Sequence, residues 1–340
     1  MKRVIILTTA GLLTAGLILV CLFLYYGNRM KSLDVTADQI REYDSHYLFI
    51  SSDQSEMYQD LFSAASAYAS REGAALEWCG SGTLGNYTAA DCVDLAVAMD
   101  ADGILLHPDN SAGLTEAIGR AAKAGIPVVT ILVDLPDTQR VSYVGLSNYQ
   151  MGDLYGERLI GLLKDGTNEV CLLGDENDNE AETQLFLTQM IQAVNSGAPS
   201  SKVMDLHTYT TDSQTDFDAE EVIRDILLSD KVPDILVCLN SEQTECSLQG
   251  LLDYNLVGKV QVIGYYLTDS VRSSLKQELL PVVMTFDPLQ MGQDCIEALN
   301  EYRKMGRVSS YFNISLDSVT PATVDEGPYL EESSEMKEAE

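Results

Sequence analysis

The densest chemistry-bearing stretch of this sequence is residues 174–180, Gly-Asp-Glu-Asn-Asp-Asn-Glu, a run of acids and amides. Oxygen donors at that density suit a hard cation, but the run lacks the central glycine and the terminal glutamate spacing of an EF-hand calcium loop. It reads instead as an acidic strand-to-helix turn that carries its own cap. Only three histidines occur, His46, His107 and His207, and no H-E-x-x-H, G-x-S-x-G, P-loop or G-x-G-x-x-G pattern accompanies them. Nor does spacing define a Ser/His/Asp set. The seven cysteines form no C-x-x-C pair and no His/Cys cluster of zinc spacing. Cys171 and Cys238 sit inside the apolar runs VCLLG and ILVCLN, where a thiol behaves as a small apolar side chain. A Cys79–Cys92 bridge is an option that spacing leaves open. The sequence is therefore read as a non-enzyme without cofactor or metal, and its chemistry as binding.

Composition narrows the partners. The 340 residues are 46% hydrophobic and 21% charged, ordinary values for a chain that folds around a core. A net charge of -31 repels phosphate backbones, so nucleic acid is excluded as a partner.

The elements that must position such chemistry follow from periodicity. Residues 4–26 carry no charge and, at about 23 residues, are long enough to cross roughly 30 Å of hydrocarbon as a helix. Tyr25 and Tyr26 fall where an interfacial aromatic belt lies. A cleaved signal peptide has a shorter apolar core and ends at small residues, so residues 1–27 are expected to be an uncleaved anchor. The expectation is a single-pass membrane protein with its main body extracytoplasmic. Residues 28–44 read as a polar stalk, and 327–340 as an acidic disordered tail. Between them, short apolar runs alternate with amphipathic stretches, first over 45–146 and again from 147 onward. Two such series predict an α/β fold of two Rossmann-like lobes, each a parallel sheet flanked by helices, with a ligand cleft between them. In sheets of that kind ligands bind beyond the carboxyl ends of the strands.

The segment from Asp102 to Gly156 carries DGILLHP, a helix, AGIPVVT, an acidic turn DLPD, and YVGLSNYQMGDLYGERL; FDPLQMG and ILVCLN-SEQTECSLQGL follow later. In that order and spacing the chain resembles the sugar-type periplasmic binding proteins, the ribose-binding and lactose-repressor-like family, over about residues 46–325. The resemblance implies three crossings between lobes. Lobe one would comprise residues 45–146 and 287–313, and lobe two residues 147–286 and 314–326.

Carried over position by position, the resemblance implies ligand contacts at Ser51, Ser55, Tyr58, His107, Asp134, Phe217, Asn240, Tyr266 and Phe286. His107 stands where the family often has asparagine, and either meets a ligand or caps its own turn. Tyr58 either stacks on a ligand or packs on its own lobe. Several positions depart from the sugar pattern: Leu132 where an acid is usual, Leu146 for Ser or Thr, Glu182 near the usual arginine, Tyr266 for Asp, and Phe286 for Gln. Asp134 is the cleft carboxylate that the pattern leaves. A buried sugar hydroxyl without a partner costs about 1–3 kcal/mol, so these changes disfavour an ordinary pentose or hexose. They better suit a larger amphipathic or cationic ligand. The expected role is a solute-binding receptor for an ABC permease or for a membrane histidine kinase. An anchor and an altered sugar site favour the sensory alternative. A DNA-binding repressor is excluded by the apolar span that occupies the place of its helix-turn-helix.

Overall fold

The apolar runs rich in Val, Ile and Leu become buried strands, and the amphipathic stretches between them become the helices that cover the sheets. A computed structural model of the chain describes residues 43–80, 87–176, 179–212 and 217–326. The chain divides into two compact units, Met1–Asp44 and Ser45–Glu340, and all that follows concerns the second. Among the described residues no helix is long and apolar enough to cross a membrane. The expected span over 4–26, nearly all of the expected stalk, and the acidic tail over 327–340 lie outside the described residues.

The first series runs β1 (Ser45–Ile50), α1 (Glu56–Arg71), β2 (Ala74–Cys79), α2 (Ala89–Ala98), β3 (Gly103–Leu106), α3 (Leu114–Ala124), β4 (Val128–Ile131) and β5 (Ser142–Leu146). The second runs α4 (Asn148–Leu162), β6 (Gly166–Asp175), α5 (Glu180–Gly197), β7 (Lys202–Thr211), α6 (Asp218–Leu227), β8 (Ile235–Cys238), α7 (Ser241–Asp253), β9 (Gln261–Tyr265), α8 (Asp269–Lys276) and β10 (Val282–Phe286). The chain closes with α9 (Pro288–Met305), β11 (Tyr311–Ile314) and β12 (Leu316–Val319).

Two six-stranded sheets result, ordered β11-β5-β4-β3-β1-β2 and β12-β10-β9-β8-β6-β7. Every pairing is parallel except β10 with β12, which is antiparallel. The chain passes between the sheets after β5, after β10 and after β11. It therefore consists of two α/β lobes of parallel strands and flanking helices. The lone antiparallel edge strand is a departure from the all-parallel expectation, and it has a plain cause: with only Ser315 between them, β11 leaves the first sheet where its strands finish and runs straight on as β12 into the second sheet at the ends where those strands finish.

Local chemistry sets the element ends. Gly125 adopts φ +82° at the end of α3, and Pro127 then starts the next strand. Asp287 accepts from Leu289 N at 2.8 Å to cap α9, with Pro288 in its first turn. Asn240 and Gln243 form a capping box on α7. Helix α4 begins at Asn148, with Ser147 as its cap.

One apolar cluster runs from Tyr47, Phe49 and Leu105 in the first lobe through Leu146 and Phe286 to Leu172, Ile263 and Met284 in the second. The covering helices come very close to each other. A Cβ on Gly292 of α9 would stand 2.6 Å from the backbone nitrogen of Ala65 in α1. Because rigid backbone meets it, Gly292→Ala is expected to lower unfolding free energy by about 1–3 kcal/mol. Urea denaturation of wild type and variant measures this, and an unchanged midpoint would contradict the packing.

Candidate functional site

Since all strands but β12 run the same way within their sheet, the turns that follow them collect on one side, and between the two lobes these turns enclose a cavity of about 300 Å³. From the first lobe come Asp53 after β1, Met57 and Tyr58 at the start of α1, His107 to Asn110 after β3, Leu132 to Leu135 after β4, and Leu146. The second lobe supplies Asn148 and Met151 of α4, Asp175 and Asn179 around the end of β6, Glu182, Thr183 and Phe186 of α5, Leu239 and Asn240 after β8, and Tyr265.

His107 anchors one wall. Its Nε2 lies 2.8 Å from the Tyr58 hydroxyl, and the two rings meet tilted by 50° with centroids 4.8 Å apart. Burial holds the imidazole down to about 4 from its ordinary 6.5, against the opposing pull of Asp53, Asp109 and Asp175. The ring is therefore neutral at pH 7, and the carboxylates around it keep their charge uncompensated by it. The Tyr58 ring is buried against its own lobe and also borders the cavity.

Asp53 and Asp109 are held by backbone donors and Glu182 by a side-chain amide. Asp53 accepts from Ser55 N at 2.7 Å, and Asp109 accepts from Ala89 N at 2.8 Å and Ser111 N at 3.0 Å. Glu182 accepts from Asn148 Nδ2 at 3.3 Å. Asn179 caps α5 by accepting from Ala181 N at 2.9 Å, the capped turn expected of the 174–180 run. Its neighbours Asn177 and Asp178 lie outside the described residues.

Of the sequence-derived contact residues, Tyr58, His107, Asp134 and Asn240 line the cavity; Ser51, Ser55, Phe217, Tyr266 and Phe286 do not. Each displacement has a cause. Ser51 is fully buried and holds its own turn, bonding Asp53 N and O at 3.2 Å. The Ser55 hydroxyl is enclosed without a hydrogen-bond partner. Phe217 is three-quarters exposed in a left-handed conformation ahead of α6. Asp134 borders the cavity, but Arg140 grips both of its oxygens, and Leu135 N donates to it at 2.7 Å. It is a structural ion pair rather than an open acceptor. Asn240 uses Oδ1 on Gln243 N at 2.8 Å, and its Nδ2 is unengaged among the described residues.

Tyr266 and Phe286 serve the contact between lobes. Phe286 is fully buried against the Tyr266 ring at 5.4 Å, and the Tyr266 hydroxyl donates to Asp60 of α1 at 2.7 Å. Beside it, Asp269 N donates to Glu56 at 3.0 Å. Burial raises the carboxyls of Glu56 and Asp60, and the like charge of Asp269 adds to both. Leu132 and Tyr266 each sit at φ 62° just past a central strand. A non-glycine there stores strain of order 1–3 kcal/mol. Their amides still reach the neighbouring strand, Leu132 N to Val144 O at 3.0 Å and Tyr266 N to Met284 O at 2.7 Å.

Sequence reasoning missed Asp53, Asp109, Asn110, Asp175 and Thr183. The signal was available, because each follows a strand or opens the helix after one.

The model of the periplasmic binding protein domain matches residues 47–307. No curated protein matches the chain. Among solved structures, GanP, a glucose-galactose binding protein from Geobacillus stearothermophilus, is 21% identical, covering 84% of this chain and 99% of its own, with a TM-score of 0.69. An ABC transporter solute binding protein from Burkholderia graminis in complex with D-arabinose is 17% identical, covering 84% and 98%, with a TM-score of 0.73. A XylFII-LytSN complex is 20% identical, covering 82% and 98%, with a TM-score of 0.70. At these identities the likeness is one of fold.

Two outcomes test the site. An unfolded-chain histidine titrates near 6.5, whereas His107 in the fold titrates near 4. Between those values the unfolded chain binds more protons, so His107 makes stability fall as pH drops from about 6.5 towards 4. The NMR titration of its ring should show a midpoint near 4, and a midpoint at 6 or above would refute the buried neutral ring. Separately, Tyr266→Phe should widen the distribution of lobe separations in small-angle scattering of the ligand-free protein while leaving each lobe folded. An unaltered distribution would remove Tyr266 from the lobe contact.

Proposed function

Because the chain belongs to the periplasmic binding protein domain family, whose members are non-enzymatic solute-binding receptors, we propose that it is an extracytoplasmic receptor that closes its two lobes on a small, hydroxyl-rich, neutral or cationic solute. The observation that carries this reading is the charge of the cavity wall. Asp53, Asp109, Asp134, Asp175 and Glu182 border it, and among the described residues no lysine or arginine does. Of these, Asp134 is paired with Arg140. A wall of acceptors attracts hydroxyl and ammonium donors and repels phosphate and carboxylate. Tyr58, His107, Phe186 and Tyr265 add ring faces against which a sugar-like or amphipathic skeleton packs. The sugars named with the solved relatives, glucose, galactose and D-arabinose, fit the hydroxyl half of this description. An amino-bearing sugar fits both halves.

Closure follows from two-sided contact. A ligand that touches Asp53 and His107 on one lobe and Asp175 and Asn240 on the other stabilises the closed form by its differential affinity for that form alone. The closed form then docks on a membrane partner, either an ABC permease or a sensor kinase. The XylFII-LytSN complex is a relative in fold that offers the second precedent. Genes adjoining this one discriminate: permease and ATPase genes support import, and a histidine kinase with a response regulator supports sensing. Anchoring through residues 4–26 remains part of the proposal.

Calorimetric titration against neutral pentoses and hexoses, amino sugars, polyamines and sugar phosphates tests the reading. An amino-bearing compound should bind most tightly and a sugar phosphate not at all; a sugar phosphate as the tightest ligand would overturn it. Asn240→Ala should weaken binding by about 1–3 kcal/mol, roughly five- to a hundredfold. Asp175→Asn should weaken the amino compound far more than its neutral counterpart.

A further inference from the structure

Far from the cleft, the N-terminal half of the β6–β7 ladder gathers a second set of donors. The parallel register places Glu169 opposite Asp205, and Cys171 opposite His207. With alternation of faces along each strand, Glu169, Asp205 and His207 project to the same side. His207 Nε2 lies 3.3 Å from Glu169 Oε2 and 3.7 Å from Asp205 Oδ1. One donor atom from each of the three residues falls within 4.8 Å of the others. Glu169 is six residues before the cleft residue Asp175 on the same strand, which puts the cluster about 20 Å from the ligand cavity.

We propose that Glu169, Asp205 and His207 form a binding site for a divalent transition-metal ion of the zinc class. In a tetrahedral zinc site the bonds are about 2.0–2.2 Å long, so neighbouring ligand atoms stand roughly 3.3–3.6 Å apart. The two histidine-to-carboxylate distances span nearly that interval, so the donors need only small shifts to enclose an ion. One imidazole with two carboxylates suits zinc and its neighbours in the first transition row, whereas Ca2+ and Mg2+ favour oxygen alone. Three protein ligands leave a fourth position for water or for a donor from another molecule. The strand backbones hold the spacing: Glu169 N donates to Asp234 at 3.0 Å, and Asp234 N returns to Glu169 O at 2.8 Å.

The site already attracts a cation. Lys231 Nζ lies 2.6 Å from Glu169 Oε1 and 3.6 Å from Asp205 Oδ2, bridging the two carboxylates. Its side chain is 64% exposed, so the ammonium can swing into water when a divalent ion takes its place. Lys231 thus competes with the metal, and this gives the proposal a signature opposite to that of an ordinary acidic surface. Removing Lys231 strengthens metal binding and removing His207 weakens it.

The test is calorimetric titration of the full chain with Zn2+, and separately with Ca2+ and Mg2+, for wild type, His207→Gln and Lys231→Met. The expected result is one Zn2+ per chain, with His207→Gln weakening it at least about tenfold, the effect of losing even an outer-shell partner. Lys231→Met should tighten Zn2+ binding, and Co2+ should give d–d absorption in wild type that is lost in His207→Gln. Both variants should keep the metal-free unfolding midpoint, since their side chains are 45% and 64% exposed. Equal Zn2+ affinity in wild type and His207→Gln would overturn the site. So would Ca2+ binding as tight as Zn2+ and indifferent to His207.

Discussion

A parallel ladder obliges all its strands to finish on the same side, and in this chain that direction decides where polar chemistry can lie. Strand interiors are apolar on both faces, as in Ile104, Leu105 and Leu106 of β3 or Leu236, Val237 and Cys238 of β8, all fully buried. Side chains that border the cavity therefore come from the last residue of a strand, from the turns beyond it or from the first turns of the helices that follow. His107, Leu132, Asp175 and Asn240 occupy such places. The crossings after β5, β10 and β11 keep the strand ends of one sheet facing those of the other, so the cavity is a consequence of chain direction before it is one of side-chain choice.

Carboxylates dominate the cavity wall. His107 feels the charges of Asp53, Asp109 and Asp175, and burial keeps it from neutralising them. The lobe contact has the opposite proton sign. Glu56 and Asp60 have raised carboxyls, so the fold binds protons there more readily than the unfolded chain does, and that region gains stability as pH falls through the raised values. Acidification thus weakens the cavity wall through His107 while relieving repulsion at the lobe contact. Near neutrality the wall stays negative and the lobe contact stays under repulsive load from Asp269 and Glu245.

The fold was legible in the sequence because it rests on periodicity and punctuation. Helix α3 was readable to the residue, since Gly125 and Pro127 admit no continuation. The cleft was legible by region and less so by residue. Leu132, Leu146 and Glu182 were recognised as departures from a sugar pattern, and all three line the cavity. Asp134 misled because a sequence does not reveal that Arg140, six positions on, takes both of its oxygens. Tyr266 and Phe286 misled for a related reason. A strand end can face the ligand or the other lobe, and the choice depends on Asp60 in a distant helix. The run 174–180 was read as a capped turn, and Asn179 does cap α5, yet Asp175 also borders the cavity. One structural role does not exclude a second.

The two lobes solve the same mechanical problem with the same parts. Helix α4 carries Gln150-Met151-Gly152 as the chain enters the second lobe, and α9 carries Gln290-Met291-Gly292 as it returns to the first. In each case the glycine lies against a neighbouring helix backbone, Phe186 O at 2.5 Å and Ala65 N at 2.6 Å from an added Cβ. Each lobe also bends left-handed just past its central strand, at Leu132 and at Tyr266. The symmetry breaks in what those two residues do. Leu132 lines the cavity, while Tyr266 reaches across to Asp60. The end of β9 therefore serves two features at once: Tyr265 borders the cavity, and the next residue, Tyr266, bonds Asp60 of the other lobe.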